Sequence, residues 1–487
     1  MVLCLGTLMI VLDTTIVNVA LPSIRADLGF SATTLAWVVN AYLLTFGGFL
    51  LLGGRLGDLF GHRRLFVTGI ALFTVASLCC GLAGSQAVLV IARAIQGIGG
   101  AIVSAVGLSL MMSLFTEPAE RVKAMGIFGF VASGGGAIGV LLGGVLTSIL
   151  NWHWIFLVNI PVGATVVALS MRLLPSPQLH VGRVRLDIAG AVSATASLML
   201  AVYAIVNGNE VGWTSARTLG GLAAAGALLA VFVVIESRVA SPLLPLALFR
   251  LRNLATANVV GVLWAAAMFA WFFLSALYLQ LVLGYSPLQV GLAFLPANLI
   301  MGAMSVGVSA KLVMRFGIRT PLCAGLLVAA AGLVLFSQAP VGGSFVANVL
   351  PAMILLGFGA GMAFNPVLLA AMSDVSPEQS GLASGMVNTS FMMGGALGLA
   401  VLASLAAART RGLHAVASPL AALVGGYHAA FLAGAACAAV AAVAGATLLR
   451  THGQPALDAA DVMSTCGRPY YRRSRQPARS SDISLVR

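Results

Sequence analysis

The chain has 487 residues, of which 60% are hydrophobic and only 8% charged, with a mean hydropathy of +1.04. A soluble domain carries roughly 25% charged residues, so this composition excludes a water-coated globule and requires lipid as solvent. The net charge of +13 does not point to nucleic acid, because Lys and Arg sit in short gaps between apolar stretches and in the C-terminal tail. No soluble domain or aromatic platform accompanies that charge.

A helix that crosses a bilayer needs about 20 apolar residues. In chain order such stretches are predicted near 1–24, 36–57, 65–84, 86–115, 123–149 and 153–174, then 187–207 and 217–236. Six more follow near 256–283, 288–310, 321–339, 345–372, 382–407 and 426–449. The fold class is therefore all-α membrane protein, with about fourteen spans. The first stretch lacks a basic leader and a small-residue cleavage site and carries Asp13, so it is expected to be a retained helix rather than a signal peptide. Cys4, Cys79, Cys80, Cys323 and Cys437 fall in apolar stretches, Cys466 in the tail, and none has metal-ligand spacing. They are expected to be small hydrophobes, with no disulfide framework and no metal.

Charge placement orients the spans. With the N-terminus inside, the cytoplasmic gaps hold Arg63 and Arg64, then Arg121 and Lys123, Arg172, Arg183 and Arg185, Arg238, Arg250 and Arg252, and Lys311, Arg315 and Arg319. The opposite side keeps Arg25, Arg217, Arg409 and Arg411. This asymmetry predicts both termini in the cytoplasm.

The segment GRLGDLFGHRR (54–64) finds a match in SAKLVMRFGIR (309–319), where Arg55 meets Lys311, Phe60 meets Phe316, Gly61 meets Gly317 and Arg63 meets Arg319. Both copies follow the second span of a six-span set. The expected organisation is a six-helix half at 1–174, an inserted two-helix region at 175–255, a second half at 256–449 and a basic tail at 450–487. Repeated halves around a central site are a secondary-transporter architecture. The tail composition predicts disorder near an anionic inner leaflet.

Asp13 lies about 18 Å along the first helix, near mid-membrane. An acid there costs roughly 2.5–3.5 kcal/mol on insertion scales. It is a candidate for proton carriage or cation recognition, or else an acid hydrogen-bonded to neighbours such as Thr14 that fixes packing. Arg93 sits about 11 Å into the fourth helix, too deep to snorkel easily. It is expected either to face a cavity and couple to a carboxylate or to make a structural pair with carbonyls or an Asp.

In the loop after the second helix, Gly54, Gly57 and Gly61 permit a sharp turn, Asp58 can sit at a helix N-terminus, and Arg63 and Arg64 follow. Gly135, Gly139 and Gly143 form a small-residue stripe for close helix approach. Trp152, His153 and Trp154 read first as interfacial anchors. The second half offers no mid-membrane acid; its polar candidates are Asn258, Gln280, Asn298, Asn365 and Asn388. A cavity lined by Trp271, Phe391, Met392 and Met393, with Asn40, Gln280 and Asn388 as polar contributors, would be apolar and adaptable. Ordinary helix packing explains those residues equally well.

LDTTIVNVALPSI in the first helix, GRLGDLFGHRR after the second, RAIQGIGGA in the fourth, the glycines of the fifth and WHWIFLVNIP entering the sixth occur in this order. Together they resemble the fourteen-helix drug:proton antiporter branch of the major facilitator superfamily, over nearly all of residues 1–449. The resemblance implies a proton-driven exporter of hydrophobic or amphipathic small molecules, without cofactor, in the bacterial cytoplasmic membrane, taken here as a monomer. It gives Asp13, Arg93, Gln96 and Gly97 roles in proton and substrate coupling, and makes Gly54–Arg64 a cytoplasmic gating latch. Gly126, Gly135, Gly139, Gly143 and Gly144 follow its antiporter spacing. The sequence departs from the pattern at Val140 (Pro in the family), at His153 (usually Arg) and at Phe391-Met392 (usually Arg-Gln). A dedicated transporter of one metabolite is the alternative. Scattered acids and histidines argue against an enzyme, and neither a P-loop nor a repeated pore filter is present.

Overall fold

The computed structural model of the protein describes residues 1–114, 118–174, 187–239, 246–375, 379–414 and 417–450, with 242 and 244. Met1–Arg450 forms one compact unit; the basic tail beyond it lies outside the described residues. Every regular element among the described residues is helical, as a bilayer demands of a chain with no water to satisfy its backbone.

The first set comprises α1 (Val2–Leu28), α2 (Trp37–Phe60), α3 (His62–Gly81), α4 (Gln86–Leu114), α5 (Pro118–Ile149), a short α6 (Trp154–Leu157) and α7 (Asn159–Leu173). Next in the chain come α8 (Ile188–Val211) and α9 (Ala216–Arg238). The second set comprises α10 (Arg252–Leu277), α11 (Pro287–Ala303), α12 (Ser309–Phe316), α13 (Arg319–Phe336), α14 (Leu350–Met372), α15 (Ser380–Leu413) and α16 (Pro419–Leu448). A π-helical turn, Met304–Val308, joins α11 to α12. Among the described residues twelve segments are long and apolar enough to cross a membrane, and Gly134–Ile149 and Pro287–Ala303 are shorter apolar helices. The latter two fall on the spans expected near 123–149 and 288–310.

The two sets pack alike. In the first, α1 lies on α5, α2 on α4 and α3 on α4; in the second, α10 lies on α15, α11 on α14 and α13 on α14. The sets meet through α2 with α15 and α5 with α11, which exchange under the same correspondence. Glycines fix several of these contacts. A β-carbon on Gly99 would lie 2.7 Å from the Phe73 backbone nitrogen, and one on Gly359 2.5 Å from that of Ala329. Such approaches are how helices gain contact where lipid offers no hydrophobic drive.

The segment 54–64, expected as a glycine-permitted loop, is helical as far as Phe60. Gly61 alone makes the turn, with φ 88°, and α3 begins at His62. Gly54 and Gly57 sit inside α2, because an interior glycine weakens a helix by only about 1 kcal/mol and does not end it. The repeat copy turns the same way at Gly317, with φ 73°.

The α8 helix touches both sets. Both α2 and α15 pack on α8, and Asn209 on α8 donates to the Ser404 carbonyl at 3.2 Å while accepting from Arg411 at 2.8 Å. Asp187 caps α8 by accepting from the Gly190 amide at 2.7 Å. By contrast, α9 turns Leu229, Val231, Val233 and Val234 outward, as a lipid-facing helix does.

Candidate functional site

A polar cluster lies inside the first set, among helices that are otherwise apolar. Asp13 on α1 is fully buried, as are Gln96 on α4 and Ser77 on α3; Arg93 on α4 is 1% exposed and Asn159 on α7 is 2% exposed. Close approach of α4 to its neighbours sets the geometry: a β-carbon on Gly97 would lie 2.4 Å from the Tyr42 carbonyl oxygen of α2.

Arg93 Nη1 donates to Asp13 Oδ2 at 2.5 Å and to Gln96 Oε1 at 2.6 Å, while Arg93 Nε donates to the Val38 carbonyl at 2.9 Å. Gln96 Nε2 donates to Asp13 Oδ1 at 2.7 Å and to Ser77 Oγ at 2.8 Å. Asn159 Nδ2 reaches Asp13 Oδ1 at 3.1 Å and Ser77 Oγ at 3.3 Å. Ser77 donates to the Phe73 carbonyl at 2.8 Å. The guanidinium lies 4.4 Å above the Tyr42 ring and 5.6 Å from the Phe156 ring, contacts that stabilise a desolvated cation.

Asp13 thus receives hydrogen bonds from Arg93, Gln96 and Asn159 and donates none. That arrangement suits the ionised carboxylate, an acceptor only. Of the two readings of Arg93, these contacts match the structural pair with an Asp and a carbonyl. Thr14 and Thr15 do not serve Asp13; their hydroxyls bond back to Val11 and Leu12 carbonyls on their own helix. Ser77, Asn159 and Tyr42 escaped the sequence reading. Asn159 stood inside WHWIFLVNIP, but a neutral polar side chain in an apolar helix carries no signal of its own.

The α5 glycines press on the helix that carries Asp13. A β-carbon at Gly135 would lie 3.0 Å from Val11 Cγ1, at Gly139 3.0 Å from the Leu12 carbonyl oxygen, and at Gly143 2.7 Å from that of Ile16. Gly144 faces the other set, where a β-carbon would lie 2.7 Å from the Pro287 carbonyl oxygen. Gly126 belongs to the first part of α5, whose packing lies outside the described residues. Val140 is buried, and α5 runs on through it with no interior proline.

At the α2–α3 turn, Arg63 Nη2 donates to the Met171 carbonyl of α7 at 2.5 Å, and Arg64 is exposed. Gly57 sits against Val106, and Gly54 faces open space. The Asp58 side chain lies outside the described residues.

The residues offered as cavity lining do not form one cavity, although Asn388 and Phe391 share a crevice. Trp271 is buried against Phe272 and Phe294, and Trp264, two turns earlier, is the tryptophan that shares a small crevice with Phe391 and Asn388. Gln280 donates to the Val19 carbonyl at 2.8 Å, a bond between the two sets. Asn388 donates to Ser384 within α15 at 3.0 Å. Asn40 is fully buried on α2, and its amide finds no hydrogen-bond partner among the described residues. Met392 and Met393 lie where α15 meets Gly47 of α2.

Solved structures share this architecture at low sequence identity. An auto-inhibited peptide transporter of the POT family aligns with a TM-score of 0.66 at 15% identity, covering 93% of this chain and 96% of that one. The inward-open xylose transporter XylE of E. coli aligns at 0.61 and 16% identity, covering 93% and 96%. Sequence relatives are nearer. The cephamycin export protein CmcT of Amycolatopsis lactamdurans is 42% identical over 412 residues, 84% of this chain and 85% of that protein. The puromycin resistance protein pur8 of Streptomyces alboniger is 40% identical over 84% of this chain and 81% of its own. The multidrug resistance protein Stp of Mycobacterium tuberculosis is 37% identical over 83% and 74%. Residues 3–399 match the profile of the Major Facilitator Superfamily, and this multi-pass membrane protein belongs to that family.

Proposed function

We propose that the protein is a proton-coupled exporter of hydrophobic or amphipathic small molecules, working by alternating access in a bacterial cytoplasmic membrane. The observation that carries the reading is the buried Asp13–Arg93 pair at 2.5 Å. A proton on Asp13 cancels the charge that holds the Arg93 guanidinium at Oδ2 and sets a new O–H donor among the donors of α4 and α7. Protonation then loosens α1 from α4, and deprotonation restores the clamp. Protons entering from outside load Asp13 as substrate leaves, and Arg93 disfavours simultaneous occupancy. Gln96 links the two charged groups.

In this reading both shorter apolar helices complete fourteen spans, α5 over its full length and α11 through the π turn into α12. Residues 1–174 and 256–449 are the rocking halves, 175–255 the insert and 450–487 a cytoplasmic tail. The α2–α3 turn, with Asp58, Arg63 and Arg64, is the cytoplasmic latch. Relatives named for exporting cephamycin and for resistance to puromycin or multiple drugs support the substrate class. Because two of those names each concern one antibiotic, a dedicated exporter is the second reading.

The test is expression in a host lacking its own drug pumps, challenged with puromycin, lincomycin and ethidium. Raised tolerance to at least one compound, lost with Asp13→Asn, is expected. Unchanged tolerance across the panel, with the protein shown to be in the membrane, contradicts the reading.

A further inference from the structure

At the end of the bundle opposite the α2–α3 turn, a cavity of about 360 Å³ opens between the two helix sets. One wall comes from the first set: Arg25 in the last turn of α1 and the connection into α2. The other comes from α10, α15 and α16, with Phe273, Leu277, Arg411, His414 and Tyr427. Its volume falls near the lower end of the roughly 300–1,000 Å³ typical of small-molecule sites.

The charge on this cavity has one sign. Arg25 and Arg411 line it, with His414 beside them as a neutral hydrogen-bonding ring, and among the described residues no carboxylate does. The nearby Asp27 is turned away, accepting from Trp152 Nε1 at 2.9 Å. Arg411 gives one hydrogen bond, to the neutral Asn209, and Arg25 makes no ion pair among the described residues. Guanidinium groups present a fork suited to carboxylate or phosphate. Cations set beside an aromatic and aliphatic wall describe a receptor for a molecule with an anionic head and an apolar body.

We propose that this pocket binds the carboxylate or phosphate head of an amphipathic molecule and thereby holds the two helix sets together at this end. Since the walls belong to different sets, the ligand fits only while they stay this close, and binding must favour that closed state. The clamping part rests on the alternating-access reading above; the binding part does not. The ligand is either a soluble amphipath or an anionic lipid of the surrounding leaflet.

The experiment uses the full chain in phosphatidylcholine nanodiscs, with decanoate as probe, decyltrimethylammonium as its cationic twin, and calorimetric titration as readout. Saturable decanoate binding is expected, with no displacement by the cation. Arg25→Gln combined with His414→Gln should weaken it by about tenfold or more. Arg409→Gln, an exposed charge outside the pocket, should leave it unchanged. Binding is read here without transport, which separates this claim from the export reading. Thermal unfolding of each variant checks that it is folded. Phosphatidylglycerol in the disc lowering the apparent decanoate affinity assigns a lipid source; no effect assigns a soluble one. Equal binding of the two detergent-like probes, or undiminished binding in the folded double variant, overturns the proposal. In cells, external decanoate should slow drug efflux by the wild type and not by the double variant; equal slowing overturns the clamping claim.

Discussion

Arg93 and Asp13 are each buried to within 1% of complete exclusion, so their energetics differ from those of a surface pair. Removing one partner of such a pair costs about 3–5 kcal/mol, because the other is left as an uncompensated charge. Arg93→Gln alone should therefore lower thermal stability in detergent markedly. Adding Asp13→Asn should recover most of that loss, since neutral amides can hydrogen-bond to one another in the same positions. Both the single and the double variant should lack proton-coupled transport. Arg93→Lys is not conservative here. A single ammonium cannot reach Val38, Gln96 and Asp13 together as the guanidinium does, and efflux in vesicles should fall by about tenfold or more, as expected when one charged hydrogen bond of ~1.5–3 kcal/mol is lost. The sequence itself told the charged part of this cluster, and the resemblance added Gln96. Charge at mid-membrane is costly enough to stand out, whereas Ser77 and Asn159 are as polar as many residues that merely back-bond within their own helix, as Thr74 and Thr165 do.

At the scale of the helix, the α5 stripe sets how closely α1 can lie. Substituting Gly143 by Val places new carbons against the Ile16 carbonyl, and overpacking of this kind costs typically 1–3 kcal/mol. Separation of α5 from α1 should also disturb Asp13, three residues before Ile16. Thermal unfolding and efflux are expected to decline together in Gly143→Val. Gly54→Ala is the control: a β-carbon there meets nothing within 4 Å, and stability should hold or rise slightly as helix propensity improves. Gly61→Ala, at φ 88°, should destabilise by about 1–2 kcal/mol because an L-residue resists that conformation. The stripe was legible from its four-residue spacing. The extent of α2 was not: the glycines of GRLGDLFGHRR look alike in sequence, and only the backbone distinguishes Gly61, which ends a helix, from Gly54 and Gly57, which lie within one. The tryptophans of α10 pose the same difficulty, since Trp264 and Trp271 share a helix face and only packing tells which meets Phe391.

For the whole molecule, composition was enough to set the class, and the match of 54–64 with 309–319 to suggest the repeat. The turn glycines Gly61 and Gly317, and the packing glycines Gly69 and Gly325 at the same separation, lie at matching places in the two sets. How the sets meet was not legible, because the glycines that join α2 to α15 and α5 to α11, such as Gly47 and Gly144, look like those that pack helices within a set. The proposed orientation makes a simple prediction: a fluorescent protein fused after Arg450 should fluoresce, and alkaline phosphatase fused there should be inactive. The reverse pattern would place the basic ends outside.

The central claim is that Asp13 carries the proton that exchanges for drug. Inverted membrane vesicles, energised until their lumen is acid and monitored with a pH-sensitive dye, test it directly. Adding a transported drug should move protons out of the lumen in wild-type vesicles, while Asp13→Asn vesicles with the same amount of folded protein show no drug-linked proton flux. Undiminished drug-linked flux in Asp13→Asn would contradict the account.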